Sequence, residues 1–249
     1  MGPVFIQQFI TIFIKNAKIH LRSYAFLKQL LNLAFGVGLV ILLVKLQSSG
    51  LIPLVMSLSV MLLCRGVAFT WVEDRSEHHS KVQQAMGLSK MAYFAGWMVF
   101  YLLNCLCISL ILIGSLTVAG ALDDYSLSFG SFFALYFLYI LNSFSFTLFL
   151  TNFVPDPYTS LQVITFPQLA GICFYFLMVL NTFNNSNISL QVIALLIPSA
   201  AFTYSAITTK IDNYTNYINF SFSQGLITTA VSAALYFLLF LYLSVVLPN

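Results

Sequence analysis

The stretch from Glu73 to Lys90 is the densest collection of side chains able to do chemistry: Glu73, Asp74, Arg75, Glu77, His78, His79, Lys81 and Lys90 put eight ionisable groups into 18 residues. Two adjacent histidines point about 100° apart on a helix, a poor chelate beside the i, i+4 pairs that hold zinc. Glu73 and Glu77 share a helical face, and Glu77 with Lys81 forms an i, i+4 ion pair. The stretch therefore reads as a solvated amphipathic helix on the inner membrane face, and no metal is expected there. His20, His78 and His79 are the only histidines, and none belongs to a Ser-His-Asp set. A phosphate loop of the form G-x-x-x-x-G-K-[ST] is also missing from these residues. The expectation is a non-enzyme with no catalytic residue and no cofactor of its own, to which ATP matters only through a partner.

One charge falls inside an apolar run. Arg65 lies seven residues from the end of that run, about 10 Å at the helical rise. At mid-membrane an arginine costs roughly 2.5–3.5 kcal/mol on insertion scales, and snorkelling recovers much of that. A snorkelling or bundle-paired arginine is the first reading, and a substrate or gating contact is the second. With no acidic residue inside the runs, a proton relay has nothing to work with.

The elements that must position these groups follow from composition. Of 249 residues, 60% are hydrophobic and 7% charged, against roughly 25% charged in a soluble domain. Such a surface cannot face water, which excludes a cytosolic enzyme. The net charge of +3 is scattered and offers no nucleic-acid footprint. At about 20 residues per crossing, the apolar runs give six transmembrane helices, over about 27–46, 51–72, 91–119, 131–153, 161–180 and 225–247. Pro155 and Pro157 end the fourth, and Pro167 is placed to kink the fifth. The expected fold is an all-α integral membrane bundle in one domain over 1–249. The four cysteines sit in apolar runs as small hydrophobes.

Two further segments shape the bundle. Phe5, Phe9, Ile12, Phe13 and Ile19 recur at near-helical spacing opposite Gln7, Gln8, Lys15, Lys18 and Arg22, which predicts an N-terminal helix lying in the interface. The outer segment 182–224 is polar at both ends, and Pro198 interrupts its short apolar centre. That pattern predicts a re-entrant outer hairpin around Pro198 and Phe202. Lys15, Lys18, Arg22, Lys28, Arg75, Lys81 and Lys90 fall on or at the edge of one side, with Lys45 and Lys210 on the other. This bias puts both termini inside. Asn184, Asn187, Asn213 and Asn219 begin N-x-Ser/Thr triplets in the outer segment. The absence of acidic residues before Glu73 leaves a mitochondrial inner membrane open beside plasma membrane or endomembrane.

Asp74-Arg75 stands eleven to twelve residues before Met86-Gly87-Leu88, and Trp97 follows nine residues beyond Leu88. This arrangement resembles the membrane half of the A subfamily of ATP-binding cassette transporters, an ABC-2 type permease fold. Lys15-Asn16 with Arg22 is similar to that family's interfacial helix. The Leu196–Phe202 hairpin is similar to its short outer helices. The resemblance implies a coupling or partner-contact loop carried by Glu73, Asp74, Arg75, Glu77, Lys81, Met86, Gly87, Leu88 and Trp97. Ser76 and Lys81 depart from glutamates usual there, Asn32 from a common proline, and the large outer domain is reduced to Gln47–Gly50. The nucleotide-binding domain that follows each membrane half in the family is not among these residues.

Two functions follow. The first is a permease half for lipid or another amphipathic substrate, paired with a second membrane half and with an ATPase supplied by another subunit. The alternative is a transport-inactive subunit with a structural or lipid-binding role among other helical membrane subunits, for example in the mitochondrial inner membrane. A channel lacks a filter motif, and an intramembrane enzyme lacks a nucleophile-base pair.

Overall fold

A computed structural model describes residues 3–22, 24–46, 51–76, 87, 89–120, 128–179, 196–210 and 222–246. Among them every regular element is a helix: α1 (Pro3–Arg22), α2 (Tyr24–Lys45), α3 (Ile52–Ser76), α4 (Lys90–Val118), α5 (Phe129–Thr151), α6 (Pro157–Val179), α7 (Pro198–Lys210) and α8 (Phe222–Val246). Four of them, α3, α4, α5 and α8, are long and apolar enough to cross a membrane. Helices α2 and α6, of 22 and 23 residues, stand where the other two spans are expected.

Helix ends follow local chemistry more than hydropathy. Helix α3 does not stop where the apolar run does, at Val72; it continues through Glu73, Asp74 and Arg75 to Ser76. Glutamate and arginine are good helix formers, so the polar stretch begins as the last turn of a spanning helix. Helix α6 starts four residues earlier than its apolar run. Asp156 Oδ2 accepts from Thr159 N at 2.8 Å and from Thr159 Oγ1 at 2.9 Å, which makes Asp156 an N-cap with Pro157 at the first helical position. The Pro-Asp-Pro sequence that ends one helix thus starts the next. Helices α4 and α5 open on Ser89 and Ser128, whose hydroxyls accept from Ala92 N and Ser131 N.

The core is built around α3 and α5. Helix α3 packs against α2, α5, α6 and α7, and α5 against α3, α4, α7 and α8. Within the apolar window of α5, 61% is buried, against 17% for α8, so α5 is a core helix and α8 a wall. Ile227, Val231, Leu235, Leu238 and Tyr242 stand exposed along that wall, as a lipid-facing surface requires. Polar bonds fasten it to α5: Asn142 Nδ2 donates to Ser232 Oγ at 2.8 Å, and Asn152 Nδ2 to the Phe240 carbonyl at 3.3 Å.

The expected outer hairpin is described only from residue 196. Helix α7 sits among α3, α5, α6 and α8, with Ser199, Ala200, Ala201, Phe202 and Thr203 buried. Phe202 stacks on Tyr139 with ring centroids 4.4 Å apart. The four N-x-Ser/Thr asparagines and the first turns of the hairpin lie outside the described residues.

Candidate functional site

The end of the bundle where α3 leads towards α4 collects the site residues expected from the sequence. Glu73, Asp74 and Arg75 occupy the last turn of α3. Gly87 is described just before α4, and Trp97 lies two turns into it. Glu77, His78, His79, Lys81, Met86 and Leu88 fall outside the described residues. Two side chains make long-range bonds here, one in the last turn of α3 and one to the residues just before α4.

Arg75 is the first. Its Nη2 donates to the Thr151 carbonyl at 2.9 Å and to the Val154 carbonyl. These oxygens belong to the C-terminal turn of α5 and the residues after it, where the Thr151 carbonyl also accepts from Val154 N at 3.3 Å. A guanidinium there adds a charged donor to both oxygens and complements the negative end of the helix dipole. Arg75 therefore ties the end of α3 to the α5–α6 corner, 76 and 79 residues away in sequence.

Gln8 of α1 is the second. Its Nε2 donates to the Gly87 carbonyl at 3.0 Å, and its Oε1 accepts from Ser89 N at 3.3 Å. One amide thus uses both its faces on the chain that leads into α4. The backbone turns there through a left-handed residue, since Gly87 has φ +91°, a region that a side chain makes costly by roughly 1–2 kcal/mol. Gln8 entered the sequence reading only as part of the polar face of α1; its role as a clasp has no local signal.

Helix α1 presents three faces. Phe5 and Ile12 pack against Ala92, Tyr93 and Trp97 of α4. Ile6, Ile10 and Ile14 are exposed, and Gln7, Thr11, Lys15 and Lys18 form an exposed polar sector. At 100° per residue, these are separate sectors for protein, lipid and water, and Gln8 stands between the last and the first. The helices meet closely because Gly96 has no side chain: a Cβ there would lie 2.8 Å from Ile12 Cγ2.

Behind the clasp lies an aromatic cluster. Trp97 stacks on Tyr101 at 5.2 Å and meets Trp71 edge-on at 6.0 Å. Trp71 meets Phe240 of α8 at 5.9 Å, and Tyr101 meets Phe144 of α5 at 5.4 Å. The Thr70 and Tyr101 hydroxyls share a hydrogen bond of 2.8 Å. Offset and edge-to-face rings resist sliding, so α3, α4, α5 and α8 are joined here as a block. The Trp97 indole Nε1–H is buried with no hydrogen-bond partner among the described residues.

Arg65 is not at this end. It sits mid-way along α3, 11 residues before Ser76, half-buried between buried Cys64 and exposed Gly66. Pro198 opens α7 at the far side of the core, and Phe202 is buried one turn on.

The described part of the site is a set of long-range bonds: Arg75 at the end of α3 bonds the α5–α6 corner, and Gln8 of α1 bonds Gly87 and Ser89 just before α4. No curated protein matches the chain in sequence. A family model described as ABC-2 family transporter protein matches residues 3–242, and with nearly its whole length covered the chain belongs to the ABC-2 family of transporter proteins.

Proposed function

We propose that the chain is the permease half of an A-subfamily-like ABC transporter, which moves a lipid or other amphipathic substrate while a separate subunit hydrolyses ATP. The observations that support this most are the long-range bonds at the end of α3 and at the residues just before α4. A force applied there by a partner reaches α5 and α6 through Arg75 and α1 through Gln8. The aromatic block around Trp97 carries it on to α8. A transport domain driven from outside its own chain needs such a link between its contact surface and its core helices.

In this reading Glu73, Glu77 and Lys81 face the ATPase subunit with both termini on that same side, and a second membrane half completes the pathway. Arg65 is a snorkelling or bundle-paired side chain.

Purification from the native membrane in mild detergent tests the reading. Recovery of an ATPase subunit, followed by ATP-dependent lipid movement in vesicles holding both proteins, is the expected result. Consistent recovery of other membrane subunits with no ATPase would overturn it in favour of a structural or lipid-binding role.

A further inference from the structure

Midway through the bundle, several buried polar atoms have no hydrogen-bond partner among the described residues. Tyr136 Oη, Tyr139 Oη, Asn142 Oδ1 and Ser143 Oγ on α5 lack a hydrogen-bond partner, as do Oε1 and Nε2 of Gln168 on α6. All five residues have 0% of their surface exposed. The Tyr136 and Tyr139 rings lie close together, with centroids 6.0 Å apart. Tyr136, Tyr139, Phe202 and Ile164 share one packed cluster, and Gln168 lies one turn beyond Ile164 on the same face of α6. From α7, Phe202 lies against both tyrosine rings at 5.5 and 4.4 Å, while Ser199 Oγ donates to the Gln168 carbonyl at 3.1 Å. Asn142 and Ser143 continue the face of Tyr139 by one turn, and the Tyr139 hydroxyl is turned towards those of Ser57 and Ser143 without making a bond of normal geometry to either.

Packing alone does not ask for these groups. Phe132, one turn before Tyr136, and Phe202 fill neighbouring space fully buried and without a hydroxyl. A lone unmatched oxygen could be an accident of one side chain; six atoms on facing helices are an arrangement, and each is costly inside a membrane unless something bonds it. The chemistry selects the partner. No Lys, Arg, Asp or Glu occurs among the buried described residues, so an ion has no counter-charge. Hydroxyl and amide groups both donate and accept, which suits a small uncharged group that does the same.

We propose that Tyr136, Tyr139, Asn142, Ser143 and Gln168 form an intramembrane site for uncharged hydroxyl-bearing groups, either a bound water cluster or the hydroxyl of a lipid headgroup. The site stands independently of the permease reading, because it needs neither an ATPase nor a second membrane half.

Radiolytic hydroxyl-radical footprinting of the full chain in detergent micelles tests it, with ¹⁸O-water as the label source and mass spectrometry of the tyrosine peptides. Tyr101 is the reference, since it is buried but its hydroxyl is already paired with Thr70. Tyr136 and Tyr139 are expected to take up label several-fold faster than Tyr101. Gln168→Met and Ser143→Ala should each lower that labelling several-fold and leave the melting temperature in detergent unchanged or raised. Tyr139→Phe should likewise melt no lower than the parent, and it serves if the other variants express poorly. Labelling no faster than at Tyr101 would overturn the proposal, as would a lowered melting temperature for all three variants, which would mean that the groups are paired within the protein. Adding phosphatidylglycerol or phosphatidylcholine to the delipidated protein separates the two sources. Protection by the hydroxyl-bearing phosphatidylglycerol alone identifies a lipid headgroup, and undiminished labelling with both lipids identifies water; either outcome supports the shared chemistry.

Discussion

At the end of the bundle where α3 leads towards α4, several polar side chains bond partners far away in sequence, whereas deeper along α5 and α6 several buried polar atoms have no partner among the described residues. Gln8 bonds Gly87 and Ser89, Arg75 bonds Thr151 and Val154, and Thr70 bonds Tyr101. The unpaired atoms of Tyr136, Tyr139, Asn142, Ser143 and Gln168 lie in the fully buried core. Near water, a polar joint can break and remake at small cost, because solvent takes up the exposed donor or acceptor. In the core no solvent stands by, so an unmatched group is a standing cost. The first region suits transmission between helices, and the second suits holding something from outside the chain.

Close packing should make the core more sensitive to substitution than the joint. The largest effect is expected at Gly171, where a Cβ would overlap the Ser199 hydroxyl and lie 2.8 Å from Ala200 N. Neither backbone can move away without separating α6 from α7, so Gly171→Ala should destabilise by about 3 kcal/mol, the upper part of the usual range for overpacking. Gly66 has open space around it, and Gly66→Ala should be neutral or stabilise by up to about 1 kcal/mol through helix propensity. Thermal melting of both variants in the same detergent gives the contrast; equal melting temperatures would mean that α6 and α7 are not in close contact.

Arg75 should come next. Arg75→Ala leaves the Thr151 and Val154 carbonyls without their charged donor, and hydrogen bonds to charged groups contribute roughly 1.5–3 kcal/mol. The site is only half-buried, so water recovers part of this and about 2 kcal/mol is expected. Arg75→Lys keeps the charge but replaces the planar fork by a point donor, so it should fall between. Limited proteolysis at the α5–α6 corner reports the loss directly, with Arg75→Ala cut fastest. Equal cutting of all three proteins would show that the corner is held by other contacts.

How much of this could be read beforehand depends on the range of each interaction. The helices were legible because twenty-residue apolar runs are a local signal, and their ends shifted where other local chemistry outweighed hydropathy, a cap at the start of α6 and helix-forming polar residues at the end of α3. The Asp156-Pro157 start of α6 was present in the sequence as a cap-and-proline pair, hidden by attention to proline as a breaker. Arg75 was singled out through its neighbours, yet its bonds run to residues 76 and 79 positions away, and no periodicity encodes such a separation. Gln8 was visible only as one polar residue on an amphipathic helix. Tyr136, Tyr139 and Ser143 follow i, i+3, i+7 spacing along one face, a pattern that was readable. Counting tyrosine as apolar concealed it.

The smallest effect should fall on Gln8, and its two bonds can be separated. Gln8→Ala removes both, and a neutral hydrogen bond in a partly solvated place contributes about 1 kcal/mol net, roughly fivefold in a local opening equilibrium. Amide hydrogen exchange at Ser89 should therefore quicken by about that factor. Gln8→Glu keeps an acceptor for Ser89 N but removes the donor to the Gly87 carbonyl. Exchange at Ser89 should then stay close to that of the parent while the Gly87 carbonyl loses its partner. If α1 and the start of α4 are instead held by Ile12 against Gly96 alone, both variants will exchange at the parental rate, and the joint is a packing contact with a decorative amide. A Ser89 amide protected in Gln8→Glu and deprotected in Gln8→Ala would show that the hydrogen bond itself couples the interfacial helix to the segment between α3 and α4.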